Sequence, residues 1–308
     1  MKIKIPDALN EDMPHTLWGK VLSATPVIMT VVATMLAGLS SSEMTRAQYS
    51  RSLAAQQQSK AGDQWNFFQG KKLRGAVQRN TLDMIASTSE VRAFDEARLR
   101  QALGPAGAVF DSAEGKTTLQ ILKEGSMPAV SPGFMPPEAI SAVLKAVEQA
   151  SPEEEIQALL AKFDNPTLAT TVRDARNQAM ALDELTEPVG KTIDAVEKGL
   201  ASIAGQPELK RDFTVARLAF NARRYDAEAR LNQVIAELYE LQVRKSNLSA
   251  ERHHLRSQRF FYGMLAAQMG VIVATLAMAA RKRNFLWSIA AVAGVIAVGF
   301  AVYVYLYI

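Results

Sequence analysis

Residues 260–308 read FFYGMLAAQMGVIVATLAMAA, then RKRN, then FLWSIAAVAGVIAVGFAVYVYLYI: two uncharged apolar runs joined by one basic tetrapeptide. Crossing ~30 Å of hydrocarbon takes roughly 20 residues of helix, and both runs meet that length. A soluble protein that buried two such helices would have little reason to join them only by Arg281-Lys282-Arg283-Asn284. Working outward, a third run at residues 21–39 (VLSATPVIMTVVATMLAGL) has the same character and also lacks charge. Aromatic residues gather at the run ends: Trp18, Phe260, Phe261, Tyr262, Phe285, Trp287, Tyr303, Tyr305 and Tyr307. That is the pattern of an interfacial belt. The chain therefore reads as an integral membrane protein with three spans.

The first run is longer than the roughly 7–15 residues of a signal-peptide core, and acids flank it, so it reads as an uncleaved anchor. Short loops rich in Lys and Arg stay cytoplasmic. The 281–284 turn and, more weakly, Lys2, Lys4 and Lys20 then place the large domain on the extracytoplasmic side. Arg46, Arg51, Arg252, Arg256 and Arg259 pull the other way. The tight turn weighs more, because the rule counts short loops.

Across 308 residues the formal net charge is +4, and residues 41–259 are close to neutral. No broad basic surface is present for nucleic acid. Cysteine is absent and histidine occurs three times, which removes thiolate chemistry and leaves little for imidazole. No cofactor is expected.

The parts divide as follows: an N-terminal segment 1–20, a span 21–40, an ascending helix 41–103, a cap 104–206, a descending helix 207–259, a span 260–280, a basic turn 281–284 and a span 285–308. The ascending stretch has no proline, although Gly62, Gly70 and Gly75 each cost a helix about 1 kcal/mol relative to Ala. The descending stretch has neither proline nor glycine after Pro207. There Phe213, Phe220, Ala227, Val234, Leu241, Leu248 and Leu255 fall seven apart, a coiled-coil seam. Val77, Met84 and Val91 form a seven-spaced row on the ascending helix, so the two are expected to pair as an antiparallel stalk. Within the cap, Val109-Phe110 and residues 117–122 read as a small β-hairpin around residues 111–116. Helices follow at residues 137–150, at 151–163 with Ser151 as N-cap, and at 166–203 with a break near Pro188 and Gly190. The expected fold is all-α with three spans, a coiled-coil stalk and a mainly helical cap.

Sites with chemistry are scarce. Gly115-Lys116-Thr117-Thr118 lacks the glycine five places earlier that a phosphate-binding loop needs, since Phe110 stands there. Glu251 and His254 form one Glu-x-x-His pair, whereas a helical di-metal site needs two pairs and two further glutamates. A metal-dependent enzyme is accordingly disfavoured. The most distinctive cluster is residues 59–74, SKAGDQWNFFQGKKLR, with Asp63, Trp65, Phe68, Gln69 and Lys72 as a packing or docking face. In the spans, small residues four apart (Ala266, Gly270, Ala274 and Ala293, Ala297, Ala301) permit close helix contact.

The segment Asp63-Gln64-Trp65-x-x-Phe68-Gln69-x-Lys71 after a first span, with the basic turn Arg281-Lys282-Arg283, resembles a bacterial membrane family known only as domain of unknown function 4337. Gly70 departs from the alanine common there, and residues 104–206 lie outside the resemblance. The resemblance implies a bacterial cytoplasmic-membrane protein and supplies no catalytic residue. The expected function is non-enzymatic: a homo-oligomer in contact with membrane lipids, its stalks bundled in one membrane. The alternative is an accessory subunit docked on another membrane protein.

Overall fold

The computed structural model describes residues 17–125, 127, 134–279 and 283–307. Among these, every element is helical: α1 (Leu17–Thr88), α2 (Glu96–Leu103), a 3₁₀ turn (Gly104–Asp111), α3 (Ala113–Glu124), α4 (Glu138–Glu148), α5 (Glu153–Leu160), α6 (Asn165–Ala201), α7 (Pro207–Ala279) and α8 (Arg283–Tyr307). Stretches within α1, α7 and α8 are long and apolar enough to cross a membrane. The basic turn falls outside the described residues, apart from the backbone of Arg283 and Asn284 at the start of α8. Most of the N-terminal segment is outside as well.

The chain forms two compact units, Met1–Ala54 with Ser246–Ile308, and Ala55–Lys245. In the first, the early part of α1, the late part of α7 and α8 share a core of Met29, Ala33, Leu36, Phe260, Ala267, Ala297 and Val304. Glycine is required where the helices meet. A Cβ on Gly270 would lie 2.2 Å from the Met29 Cε and 3.4 Å from both Ala290 O and Ala293 Cβ. Pro26 sits inside α1, and the Thr30 hydroxyl donates to its carbonyl at 2.7 Å. Beyond the apolar stretches, Ser40 and Ser257 bond one another, and Glu43 accepts from Arg46 at 3.2 Å and lies 2.6 Å from His253 Nδ1.

In the second unit, α2, the 3₁₀ turn, α3, α6 and the start of α7 enclose a core that includes Leu99, Phe110, Leu122, Val189, Ile193, Phe213 and Phe220. α2, α3 and α6 each begin where a short polar side chain accepts an orphan N–H. Asp95 accepts from Arg98 N at 3.1 Å, Ser112 from Gly115 N at 2.9 Å, and Asp164 from Thr167 N at 2.8 Å. α3 stops at Gly125, whose φ of 60° is a left-handed cap.

Three local expectations change. There is no β-hairpin at residues 109–122: Ser112 caps a helix, so Thr117 to Leu122 wind into α3 and bury Leu119, Ile121 and Leu122. α6 runs unbroken through Pro188, where an interior proline costs about 3 kcal/mol. Burial on both sides offsets that cost, since Leu168, Ala175, Leu182, Val189 and Val196 continue a seven-spaced buried row past the proline. α5 begins at Glu153 with Pro152 in the cap position, so Ser151 caps nothing there.

Candidate functional site: the tryptophan segment and its neighbours

Within the second unit, the 59–74 segment is plain α-helix, and its side chains divide by angle around the axis. The Trp65 indole N–H donates to the Glu240 carboxylate on α7 at 2.7 Å, and its ring meets Phe68 edge-on with centroids 5.5 Å apart. Lys71 pairs with the buried Glu228 and lies 5.6 Å from the Tyr225 ring centroid. Arg79 pairs with Asp226, and the Arg92 backbone N–H donates to Asp212 at 3.2 Å. Gly75 supplies the closest approach: a Cβ there would lie 3.5 Å from Tyr225 Cβ and 3.7 Å from Ala222 O. Trp65, Phe68 and Lys71 thus face α7.

Of the expected face, Asp63, Gln69 and Lys72 are exposed. Trp65 and Phe68 are half-buried. Gln64, Phe67 and Lys71 instead line a cleft of about 300 Å³ with Arg176, Met180 and Asp183 of α6 among its other walls. Phe67 is 56% exposed at this cleft. Leu182, Leu231 and Ile235 add apolar lining, and Glu228 at its wall is paired with Lys71.

A second observation concerns which rows of α1 are covered. Ala33, Ser40, Ala47 and Ala54 are all buried in the first unit, seven apart, and Ala61 and Gly75 keep that register in the second. On α7 the buried Ala222, Ala229 and Ala236 also fall seven apart. Small residues at these positions let helix axes come close. The row that sequence reading assigned to this contact is elsewhere: Val77 is 51% and Met84 60% exposed.

The descending seam also divides. Phe213 and Phe220 join the core with α2, α3 and α6, and Leu241 is buried; Val234 and Leu248 are half-buried, while Leu255 is 41% exposed. In the spans, Gly270, Ala274 and Ala297 are buried within the chain itself, Ala266 and Ala301 pack partly against the core, and Ala293 abuts Gly270. Glu251 is exposed, and His254 Nε2 lies 3.2 Å from the Gln258 amide. The Gly115-Lys116 pair lies in the first turn of α3, with Gly115 pressed so closely on Val109 O that no cradle forms.

Two charges farther along α7 are shifted by their surroundings. Burial pushes the Glu237 carboxyl above its usual range, with the Gln233 amide acting against it. Burial lowers the Lys245 ammonium, which donates to the carbonyls of Leu160 and Phe163 and lies 4.7 Å from the Phe163 ring centroid. That lysine satisfies the carbonyl end of α5.

The polar segment facing α7, following directly on a first apolar stretch, falls in the part of the chain that a family model matches. Residues 18–106 match a family model described as a domain of unknown function (DUF4337). Neither the curated proteins nor the solved structures gave a match. The DUF4337 region covers α1, α2 and the first residues of the 3₁₀ turn. It includes every α1 residue named above, from the buried small-residue row to the exposed row at Val77 and Met84.

Proposed function

We propose that this is a non-enzymatic structural membrane protein that self-assembles: α1, α7 and α8 anchor it in a bacterial cytoplasmic membrane, and copies associate through the uncovered face of α1. The observation that carries this reading is the exposed row Val77 and Met84, with Leu73 beside it at 67% exposure. Within a single chain α1 already satisfies its other face, so this row is left for a neighbour. Identical copies held in one membrane are the readiest source, at high effective concentration.

The antiparallel coiled-coil pairing of α1 with α7 belongs to the same proposal. Contacts that descend α7 as they climb α1 support it: Trp65 with Glu240, Lys71 with Glu228, Arg79 with Asp226. So do the seven-spaced small residues on both helices. The short basic turn supports an extracytoplasmic position for the large domain; a reporter inserted near residue 130 that is active only in the cytoplasm would overturn that orientation.

The chain contains no cysteine, so Met84→Cys creates a single reporter thiol. Mild oxidation of intact membranes should then yield a disulfide-linked dimer, and the same treatment of a Gln69→Cys variant much less. Equal yields, or none from either, contradict self-assembly through this row. The alternative, an accessory subunit docked on a different membrane protein, is favoured by the exposed Phe67 and Met180 that line one cleft. It takes over if Met84→Cys links only to foreign chains.

A further inference from the structure

α7 carries no charged residue from Phe260 to Ala279, so Arg259 is the last charge before hydrocarbon. Its guanidinium carbon lies 6.0 Å from the Tyr303 ring centroid, and Tyr303 in turn stacks on Tyr307 at 5.5 Å. Tyrosine at such a boundary keeps its ring in the acyl region and its hydroxyl near the headgroups. Below this pair, Ile296, Gly299 and Phe300 of α8 complete a groove of about 340 Å³ with Arg259 and Tyr303. The space beside Gly299 is open, since a Cβ built there meets nothing within 4 Å.

An apolar groove that enters the membrane and is capped by a cation has one fitting occupant. We propose that it is a binding site for an anionic phospholipid, an acyl chain lying along Ile296, Gly299 and Phe300 and the phosphate resting on Arg259. Charge complementarity argues for an anionic headgroup. Among the described residues, no carboxylate lies within ion-pair distance of Arg259, while Glu43, the nearby acid on α1, is taken by Arg46 and His253. Arg252 and Arg256 on α7 add positive charge at the same boundary, against Glu251 alone on that helix turn. The Tyr303 ring lies beside the guanidinium, whose planar N–H fork suits phosphate oxygens.

This inference rests on the membrane-spanning reading of α7 and α8 but not on self-assembly. The test uses the full chain in phosphatidylcholine vesicles carrying a trace of spin-labelled phosphatidylglycerol or spin-labelled phosphatidylcholine. Electron paramagnetic resonance gives the motionally restricted fraction of each label. The wild-type protein should restrict the phosphatidylglycerol label preferentially. Arg259→Gln should reduce that preference about fivefold, the factor matching about 1 kcal/mol for one basic residue at an anionic surface. Gly299→Leu, which alters no charge and meets no wall, should abolish the preference by filling the groove. Inorganic phosphate should not displace the label. If Gly299→Leu behaves as wild type, or Arg252→Gln matches the loss in Arg259→Gln, the attraction is diffuse surface charge and the site is refuted. Displacement by phosphate refutes the lipid as occupant. Vesicle flotation separates this failure from failure of the membrane reading, because a protein that does not float with the vesicles has no spans. Particle mass, read in parallel, reports on self-assembly alone.

Discussion

Ser40 and Ser257 bond each other twice: the Ser40 hydroxyl donates to the Ser257 carbonyl at 3.0 Å, and the Ser257 hydroxyl to the Ser40 carbonyl at 2.8 Å. Both side chains are buried, and both carbonyls also belong to helix ladders. The pair ties α1 to α7 just past the apolar stretch of each. Replacing either serine with Ala should cost about 1 kcal/mol, the usual net value of one such bond. The double replacement should cost less than the sum, because each single change already loosens the shared geometry. Thermal unfolding of the detergent-solubilised protein checks both numbers, and strict additivity would show that the two bonds act independently.

Glycine positions give a graded test of packing. A Cβ at Gly115 would lie 2.2 Å from Val109 O and 2.6 Å from Phe110 Cα, both backbone atoms. At Gly270 the closest atom is the flexible end of Met29. Gly115→Ala should therefore destabilise by about 1–3 kcal/mol, as overpacking does, and no neighbouring substitution will relieve it. Gly270→Ala should be milder, and Met29→Ala in the same chain should restore part of the loss. Matched melting curves of the three variants decide the order.

Acid should loosen the α2–α3 corner first. Lys123, at 2.5 Å, and Arg100, at 2.9 Å, hold the Glu96 carboxyl below its usual range. Its contribution is thus present above the ordinary glutamate value of about 4.3 and is lost as pH falls through its lower folded value. Glu237 works in the opposite sense, because burial raises its carboxyl. The penalty for ionising it is absent in acid, where both states are protonated, and grows as pH rises through and above the ordinary value. Glu237→Gln should raise the melting temperature near neutral pH and change nothing in acid, while Glu96→Gln should lower it near neutral pH and change little in strong acid. Melting curves taken across that pH range check the two signs.

What was legible in the sequence, and what was not, follows from which signals are loud. The C-terminal spans are plain because two uncharged runs adjoin with one short turn between them. The helical middle is plain from composition. The face of α1 that meets α7 was hidden, because its row is Ala54, Ala61, Phe68, Gly75 and Leu82, and small residues do not stand out as a hydrophobic stripe. Val77, Met84 and Val91 stand out more and drew the assignment instead. The hairpin expectation at residues 109–122 passed over Ser112, three residues before Gly115, a capping signal that favours a helix. At Pro188 the local rule for breaking a helix was right about the cost. It did not weigh the row from Leu168 to Val196, whose burial exceeds that cost. In the Trp65 segment the pairing of Trp65 with Glu240 joins residues far apart in the chain, so no local pattern could have shown it.

The central claim is self-assembly through the exposed row of α1, and particle mass in nanodiscs or gentle detergent tests it most directly. Leu241 is unsuited to the purpose, because it is 1% exposed and an Asp there would disturb the fold of one chain. Val77 and Met84 are exposed, so Val77→Asp with Met84→Asp should leave helicity, membrane insertion and melting temperature close to wild type. The account predicts a multiple of the 33.6 kDa chain mass for the wild type and a single chain for the double variant. A wild type that is monomeric at every concentration, or a double variant that keeps the wild-type mass, would contradict it.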